Sequence, residues 1–190
     1  MSRRSTKSRF IRKNAPMIGI IAASLLTACG IAVAAQDRYT VKIPDGLSFS
    51  EFRGYETWQT VAVSTTGESI KTILANPAMV AAYRQGIPGN GKPFPEGAQS
   101  VKIEWAKKKN SESPYFVEIP DALKTVSFMV KDSKRFPTTH GWAFAQFAYD
   151  PASDSFKPSA PLSASGHECG YACHTTVAKK DYVFTAYPKR

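Results

Sequence analysis

The strongest constraint on the fold is a segment in which apolar and polar residues alternate strictly. Val101, Ile103 and Trp105 are apolar, whereas the intervening Lys102 and Glu104 are charged. This period of two is typical of a β-strand that buries one face. Five other segments carry alternating or strand-forming residues, namely 55–63, 115–119, 126–130, 142–149 and 181–187. The chain is therefore predicted to form a sheet of four to six strands.

Two segments interrupt the strand pattern with the spacing of an α-helix. Residues 68–75 place apolar side chains at helical intervals, and residues 78–85 form the second candidate. Asn76 and Pro77 suit the cap and first turn of the second helix, and Gly86 suits its end. Loops rich in glycine, proline or serine are predicted at 86–99 and 150–167. Because strands and helices do not alternate regularly, the pattern indicates an α+β fold with an antiparallel sheet.

The first 35 residues have the order of a signal peptide or an N-terminal membrane anchor. A basic, acid-free segment precedes an uncharged stretch from Ala15 to Ala35. Three outcomes are open: cleavage after Ala35, lipid attachment at Cys29 as in a bacterial lipoprotein, and an uncleaved anchor. Each outcome places residues 36–190 outside the cytoplasm, and a bacterial periplasm is the expected compartment. Removing 35 of 190 residues leaves a single domain of 155 residues.

The positive charge of the chain is concentrated in that N-terminal segment. The whole chain has 25 basic and 15 acidic residues, which gives a formal net charge of +10. Six of the basic residues lie in the first 35, so the remainder carries 19 against 15, a net of +4. An excess of this size predicts no nucleic-acid partner. Only three cysteines are present, which excludes a disulfide-rich scaffold.

Two cysteines and a histidine near the C-terminus form the most informative chemical motif. The run Cys169-Gly170-Tyr171-Ala172-Cys173-His174 resembles the c-type haem attachment motif Cys-x-x-Cys-His, with three intervening residues instead of two. On a helix, spacings of three and four residues both keep side chains on one face, so attachment through both thiols is within reach. Two other interpretations stay open here: a disulfide between Cys169 and Cys173, and a metal site that needs further ligands.

Other short motifs accompany the cysteine motif in a characteristic order. They are Phe94-Pro95-Glu96-Gly97, Val101–Trp105, Phe128–Asp132, Gly141-Trp142 and Asp181–Thr185. Together these motifs resemble the cytochrome P-460 family, whose relatives include the β-sheet type of cytochrome c′. The resemblance covers roughly residues 50–190. It implies a periplasmic or membrane-attached c-type cytochrome with one haem per chain, an antiparallel sheet and a homodimeric assembly.

The resemblance assigns a role to each residue at a matching position. Cys169 and Cys173 correspond to the thioether cysteines that bind haem c covalently. His174 corresponds to the proximal ligand of the haem iron. Lys102 corresponds to the lysine that hydroxylamine-oxidising members bond to the macrocycle.

The position of Lys102 also has a physical interpretation. The alternation places it on the strand face opposite Val101, where a bound haem would bury it. Burial would lower the pKa of its amine and favour the neutral, nucleophilic form, whereas a solvated strand lysine is the ordinary alternative. The oxidising members also use an acidic residue as a proton relay, for which Asp132 is the candidate and Glu104 and Glu118 are alternatives.

No residue outside the cysteine motif is marked as a second axial ligand. The remaining candidates are Met79, Met129, His140 and His167. Met129 follows a phenylalanine in a predicted strand and is expected to fill the core. We therefore expect an open coordination position, which suits the binding of a small molecule.

The resemblance to the cytochrome P-460 family, together with the cysteine motif, implies a haem protein that acts on small nitrogen compounds. The leading hypothesis is oxidation of hydroxylamine to nitrous or nitric oxide at an open iron, with electrons passing to a partner cytochrome. The alternative is a cytochrome that binds nitric oxide or transfers electrons without turnover. The third hypothesis is a haem-free periplasmic module with a Cys169–Cys173 disulfide.

Overall fold

The computed structural model describes residues 35–44, 46–159 and 168–190. Its main element is a six-stranded antiparallel sheet whose strands lie in chain order. The strands are β1 (Gln59–Thr66), β2 (Ser69–Ala75), β3 (Gln99–Lys109), β4 (Glu118–Lys131), β5 (Trp142–Asp150) and β6 (Ser155–Pro158). Helix α1 (Pro77–Arg84) connects β2 to β3, and α2 (Glu168–His174) follows β6. This arrangement confirms the predicted α+β class.

Three of the predictions concern residues or side chains that the structure does not describe. They concern the N-terminal segment with Cys29, the possible ligand His167, and the Cys169 thiol, whose helix is described but whose side chain is not. Within the described ranges, no helix is long and apolar enough to cross a membrane.

One face of the sheet packs against the segment that precedes β1. We call this apolar cluster the back layer; it includes Leu47, Phe49, Phe52, Val101, Phe128 and Phe147. The Phe52 ring stacks on Phe128 of β4, with 4.1 Å between the ring centroids. Phe49 contacts the same ring edge-on at 4.9 Å. Stacked and edge-on aromatic pairs add to the free energy gained by burial, so the back layer anchors the sheet.

The opposite face of the sheet packs against α1, α2 and the segment after α2. We call this cluster the front layer; it includes Ile73, Met79, Trp142, Phe144, Tyr182 and Val183. Alternate residues of β5 enter different layers, since Phe144 lies in front and Phe147 behind. The aromatic residues of β5 thus contribute to the core on both faces of the sheet.

Helix α1 forms where the local signals predict it. The Asn76 side chain accepts a hydrogen bond from the backbone N–H of Met79 at 2.9 Å, which caps the helix. Pro77 occupies the first helical position, where its missing N–H costs nothing. Gly86 follows the helix with φ of 85°, a conformation that glycine adopts most readily.

The helix predicted over residues 68–75 is wrong, because this segment is strand β2. Ile73 belongs to the front layer and Leu74 to the back layer. A strand that buries both faces has adjacent apolar residues, which imitate helical spacing. Hydrogen-bonded ladders to β1 and β3 on either side fix the extended conformation.

Two predicted strands begin later than their apolar residues suggest. Tyr55–Thr57 is a 3-10 turn that packs into the back layer, and β1 begins only at Gln59. Tyr115 and Phe116 lie in the loop between β3 and β4, and each has 78% of its surface exposed. Their strand-forming side chains have no partner layer in the described part of the chain, so β4 starts at Glu118.

The strand predicted over residues 181–187 is absent from the described residues. Asp181 and Tyr182 have φ values of 48° and 63°, which lie in the left-handed region and cannot extend a strand. Strand β6 lies instead within the predicted loop 150–167, where it pairs with the end of β5. Four residues of β6 are too few to show a periodic pattern.

Candidate functional site

A cavity of about 810 Å³ lies between the front face of the sheet and α2 with the segment that follows it. Its lining includes Lys71, Lys102, Met129, Phe144, Cys173 and His174. A volume of this size suits a cofactor or a small organic ligand. The structure therefore brings together three residues that the sequence assigns to one site: the lysine of β3, and the cysteine and histidine that end α2.

His174 is held in the tautomer that binds metals. Its Nδ1 donates a hydrogen bond to the backbone carbonyl of Tyr182 at 2.5 Å, which leaves the lone pair of Nε2 free. The ring lies between Phe144 and Phe184, with centroid distances of 4.6 and 4.8 Å. Burial lowers the pKa of His174, although the bond to Tyr182 opposes this effect. Burial therefore favours the neutral imidazole, which is the form that binds iron.

Gly170 allows α2 to lie directly on the sheet. A Cβ atom at this position would stand 2.3 Å from Cβ and 2.6 Å from Cγ of Phe144. Contacts this short are forbidden, and the phenylalanine is itself fixed in the front layer. The glycine between the two cysteines is therefore required for the close approach that brings Cys173 and His174 to the cavity.

We expect Gly170→Ala to lower the free energy of unfolding by about 1–3 kcal/mol, because an overpacked contact forces α2 away from Phe144. Ala172→Ser lies at an exposed position of the same helix and should change stability by less than about 0.5 kcal/mol. Denaturant unfolding of both variants measures the difference. Equal stability of the two variants would contradict the close packing.

Lys102 extends into the cavity from the middle of β3. In the ladders it lies opposite Ile73 of β2 and Ser127 of β4, and all three line the cavity. Burial lowers the pKa of the Lys102 amine; the nearby Lys71 lowers it further, and Glu104 opposes the shift. Lys102 thus lies on the sheet face that borders the cavity, opposite the face of Val101. A larger share of the amine is neutral than in a solvated lysine.

A family model described as Cytochrome P460 matches residues 52–185. The chain belongs to the cytochrome P460 family. A search of curated proteins found no match. The matched region runs from the turn before β1 to the segment after α2, so it contains every lining residue of the cavity named above. Membership of the cytochrome P460 family implies a haem cofactor.

The chain's own residues fit a haem cofactor in this cavity. A neutral imidazole with a free Nε2 is the donor that haem iron takes from histidine. Cys173 has an exposed thiol and no disulfide partner among the described side chains. Phe144, Met129 and Val183 supply apolar surface for a flat macrocycle. The donor set and the apolar walls are thus both appropriate to haem.

The candidate proton relay Asp132 lies outside the cavity of this cytochrome P460 protein. Its Oδ1 accepts hydrogen bonds from the backbone N–H groups of Lys134 and Arg135 at 3.2 and 3.0 Å, which stabilises the turn after β4. Glu104 lies 3.9 Å from a lysine of β2, and Glu118 lies 2.9 Å from a lysine of β3. Among the described residues that line the cavity, none is a carboxylate. The relay at Asp132 stays a prediction that this placement does not support.

The candidates for a second axial ligand are placed differently from one another. Met79 is fully buried in α1, and Met129 is buried in the front layer as predicted, although it also borders the cavity. His140 lies outside the cavity, where its Nδ1 is 2.7 Å from the Tyr171 hydroxyl. In the described ranges, no group of three or more His, Cys, Asp or Glu side chains is arranged to hold a metal ion.

Several features of the site are not apparent from the sequence. The Tyr182 carbonyl and the contact between Gly170 and Phe144 depend on how distant segments meet, and no local pattern marks them. Lys71 lines the cavity beside Lys102 and donates a hydrogen bond to Thr66 Oγ1 at 2.7 Å. Its segment resembled a helix, so the sequence did not place Lys71 on the same sheet face as Lys102.

Proposed function

We propose that this cytochrome P460 protein is an exported c-type haem protein that oxidises hydroxylamine to nitrous or nitric oxide. The observation that supports the proposal most directly is that Lys102, Cys173 and His174 border a single cavity. In this proposal Cys169 and Cys173 hold one haem through thioether bonds, and His174 binds its iron through Nε2. The N-terminal 35 residues direct export to the periplasm and, if retained or lipidated at Cys29, attach the protein to the membrane.

The haem supplies an iron that accepts electrons from the bound substrate. Conversion of two hydroxylamine molecules to one nitrous oxide and one water releases four electrons and four protons. The electrons leave to a partner cytochrome, and the protons leave through polar groups of the chain. We expect the protein to act as a homodimer, with one haem in each subunit.

Polar side chains on the sheet face are available to the substrate and its protons. Ser127 and Gln146 follow Lys102 across the ladders of β3, β4 and β5, and all three line the cavity. The Ser127 hydroxyl is buried and has no hydrogen-bond partner among the described residues. A buried hydroxyl without a partner is costly, so a polar ligand that supplies one stabilises the site. Hydroxylamine offers both a donor and an acceptor.

A second candidate function is nitric oxide binding without turnover. The described lining contains no carboxylate, and a reaction that releases protons needs a group to accept them. Phe144, Phe184 and Val183 give the same cavity an apolar part that suits a small, weakly polar gas. This function requires the same haem attachment but no proton relay.

The experiment that decides between them starts from the full chain expressed in a bacterium with a haem attachment system. The purified protein is mixed with hydroxylamine and an excess of a one-electron acceptor, and acceptor reduction is followed over many turnovers. The proposed function predicts sustained reduction, which a His174→Ala variant should lack. Binding of nitric oxide without hydroxylamine turnover would favour the second candidate, and a protein without haem would contradict both.

A further inference from the structure

Four of the sequence motifs each contribute residues to one hydrogen-bonded group, whose centre lies outside the lining of the cavity. They are Phe94–Gly97, Phe128–Asp132, Gly141-Trp142 and Asp181–Thr185. The centre of this group is Lys131, the last residue of β4, paired with Asp181, which follows α2 by seven residues. Neither the haem attachment nor the proposed reaction requires this pair, so the convergence of the motifs needs its own explanation.

The pair between Lys131 and Asp181 is buried and fully bonded. Lys131 Nζ lies 3.0 Å from Oδ1 and 3.3 Å from Oδ2 of Asp181, and it donates a third bond to the His140 carbonyl at 3.0 Å. The Phe94 backbone N–H donates to Oδ2 of the same carboxylate at 2.8 Å. The side chains are only 7% and 12% exposed. A buried pair with its other bonds satisfied holds both partners in one geometry.

A glycine keeps space open for this lysine. A Cβ atom at Gly141 would stand 3.3 Å from Cε of Lys131 and 2.5 Å from the Ser133 hydroxyl, and φ at Gly141 is +83°. The Trp142 ring next to it lies 5.1 Å from Lys131 Nζ, which adds a cation–π contact. Gly141 and Trp142 thus border the path of Lys131 from β4 to Asp181.

The backbone at the acidic partner is strained in a way that requires such support. Asp181 and Tyr182 are consecutive non-glycine residues with φ of 48° and 63°. Left-handed conformations at two successive residues are unfavourable and persist only when neighbouring contacts impose them. The carbonyl that follows this turn is the acceptor for Nδ1 of His174 at 2.5 Å. The position of that carbonyl therefore depends on the same turn that Lys131 fixes.

We propose that Lys131 and Asp181 are positioning residues that hold the Tyr182 carbonyl against His174 and so set how strongly His174 donates electrons to the iron. This inference rests on the proposed haem function. A hydrogen bond from the far nitrogen of a ligating imidazole raises its basicity. A more basic ligand stabilises the oxidised iron and strengthens the iron–histidine bond. Loosening the turn should therefore raise the reduction potential and lower the iron–histidine stretching frequency.

The test uses the haem-loaded protein and two variants. Asp181→Asn keeps an acceptor for the Phe94 N–H but removes the negative charge, which leaves the buried Lys131 without a charged partner. The double variant Lys131→Met with Asp181→Asn also removes the lysine charge, so we expect it to fold even if the single variant does not. The iron–histidine stretch is read by resonance Raman spectroscopy of the ferrous protein, and the potential by spectroelectrochemical titration. Lys131→Arg, which keeps the charge, is the rescue variant.

We expect both variants that carry Asp181→Asn to show a lower iron–histidine stretching frequency and a higher reduction potential than the wild type. Lys131→Arg should give values closer to those of the wild type. Asp121→Asn removes an ion pair with Lys108 at the far end of β4 and should change neither value. A folded double variant with the wild-type frequency and potential would overturn the positioning role and leave the proposed function intact. Wild-type protein without haem would overturn both.

Discussion

Replacing both Cys169 and Cys173 with alanine removes all haem that survives denaturation of the chain. Thioether bonds persist when the protein unfolds, whereas the bond from His174 to iron exists only in the folded site. Haem staining of a denaturing gel and the intact mass of the chain measure the loss. The thermal midpoint should also fall by about 6–12 °C, since the bond from His174 to iron and the burial of the haem, which exist only in the folded state, contribute on the order of 3 kcal/mol.

The single variants report on the unusual spacing of the two cysteines. Cys169→Ala and Cys173→Ala should each keep one covalent bond, with a lower yield of haem than the wild type. Cys29→Ala replaces a cysteine outside the matched region and is the control, because the haem attached to the exported protein should not change. Haem that remains on the double variant, or a wild-type chain with a Cys169–Cys173 disulfide and no haem, would contradict thioether attachment.

Lys102→Ala should convert an unusual absorption spectrum into that of an ordinary c-type haem. A lysine bonded to the macrocycle alters its electronic system, so the Soret band of the ferrous wild type is expected far to the red. The variant loses this shift. Hydroxylamine turnover should fall at least about tenfold, which corresponds to ~1.4 kcal/mol of transition-state stabilisation. The physical reason for choosing this residue is that Lys102 borders the cavity and that burial lowers the pKa of its amine.

Lys71→Ala is the matched control for the Lys102 variant. Lys71 lines the same cavity from the neighbouring strand, but its amine bonds to Thr66 and lies beside Glu104. Its loss should leave the Soret position unchanged, so a red shift that disappears only in Lys102→Ala identifies the bonded lysine. An identical spectrum in Lys102→Ala and the wild type would exclude the cross-link and favour nitric oxide binding.

The parts of the fold that could be predicted are those specified by neighbouring residues. Strand β3 follows from the alternation at Val101–Trp105, and helix α1 follows from Asn76, Pro77 and Gly86. Residues 68–75 show the limit of such patterns, because a strand buried on both faces and a helix produce similar apolar spacing. The missing strand at 181–187 has a different cause, since the left-handed turn at its start is imposed by contacts with β4.

The candidate site also has parts that the sequence predicts and parts that depend on the fold. The identities of Cys173, His174 and Lys102 are visible in the sequence, and the cavity that joins them is consistent with their predicted roles. Their geometry depends on long-range contacts that have no local signature, because more than 100 residues of chain separate Lys71 from the segment after α2. Gly170 illustrates the difference. The sequence shows that it lies between two cysteines, but only the contact with Phe144 shows why a larger residue does not fit there.

The separation of the back layer from the front layer affects how this protein tolerates amino-acid substitutions. Side chains on opposite faces of a sheet share few partners, so substitutions on the two faces should combine almost additively. Residues around the cavity are then free to vary in ligand preference while Phe49, Phe52 and Phe147 preserve the scaffold. The architecture thus permits relatives with one scaffold to diverge in chemistry without first acquiring compensating mutations in the other layer.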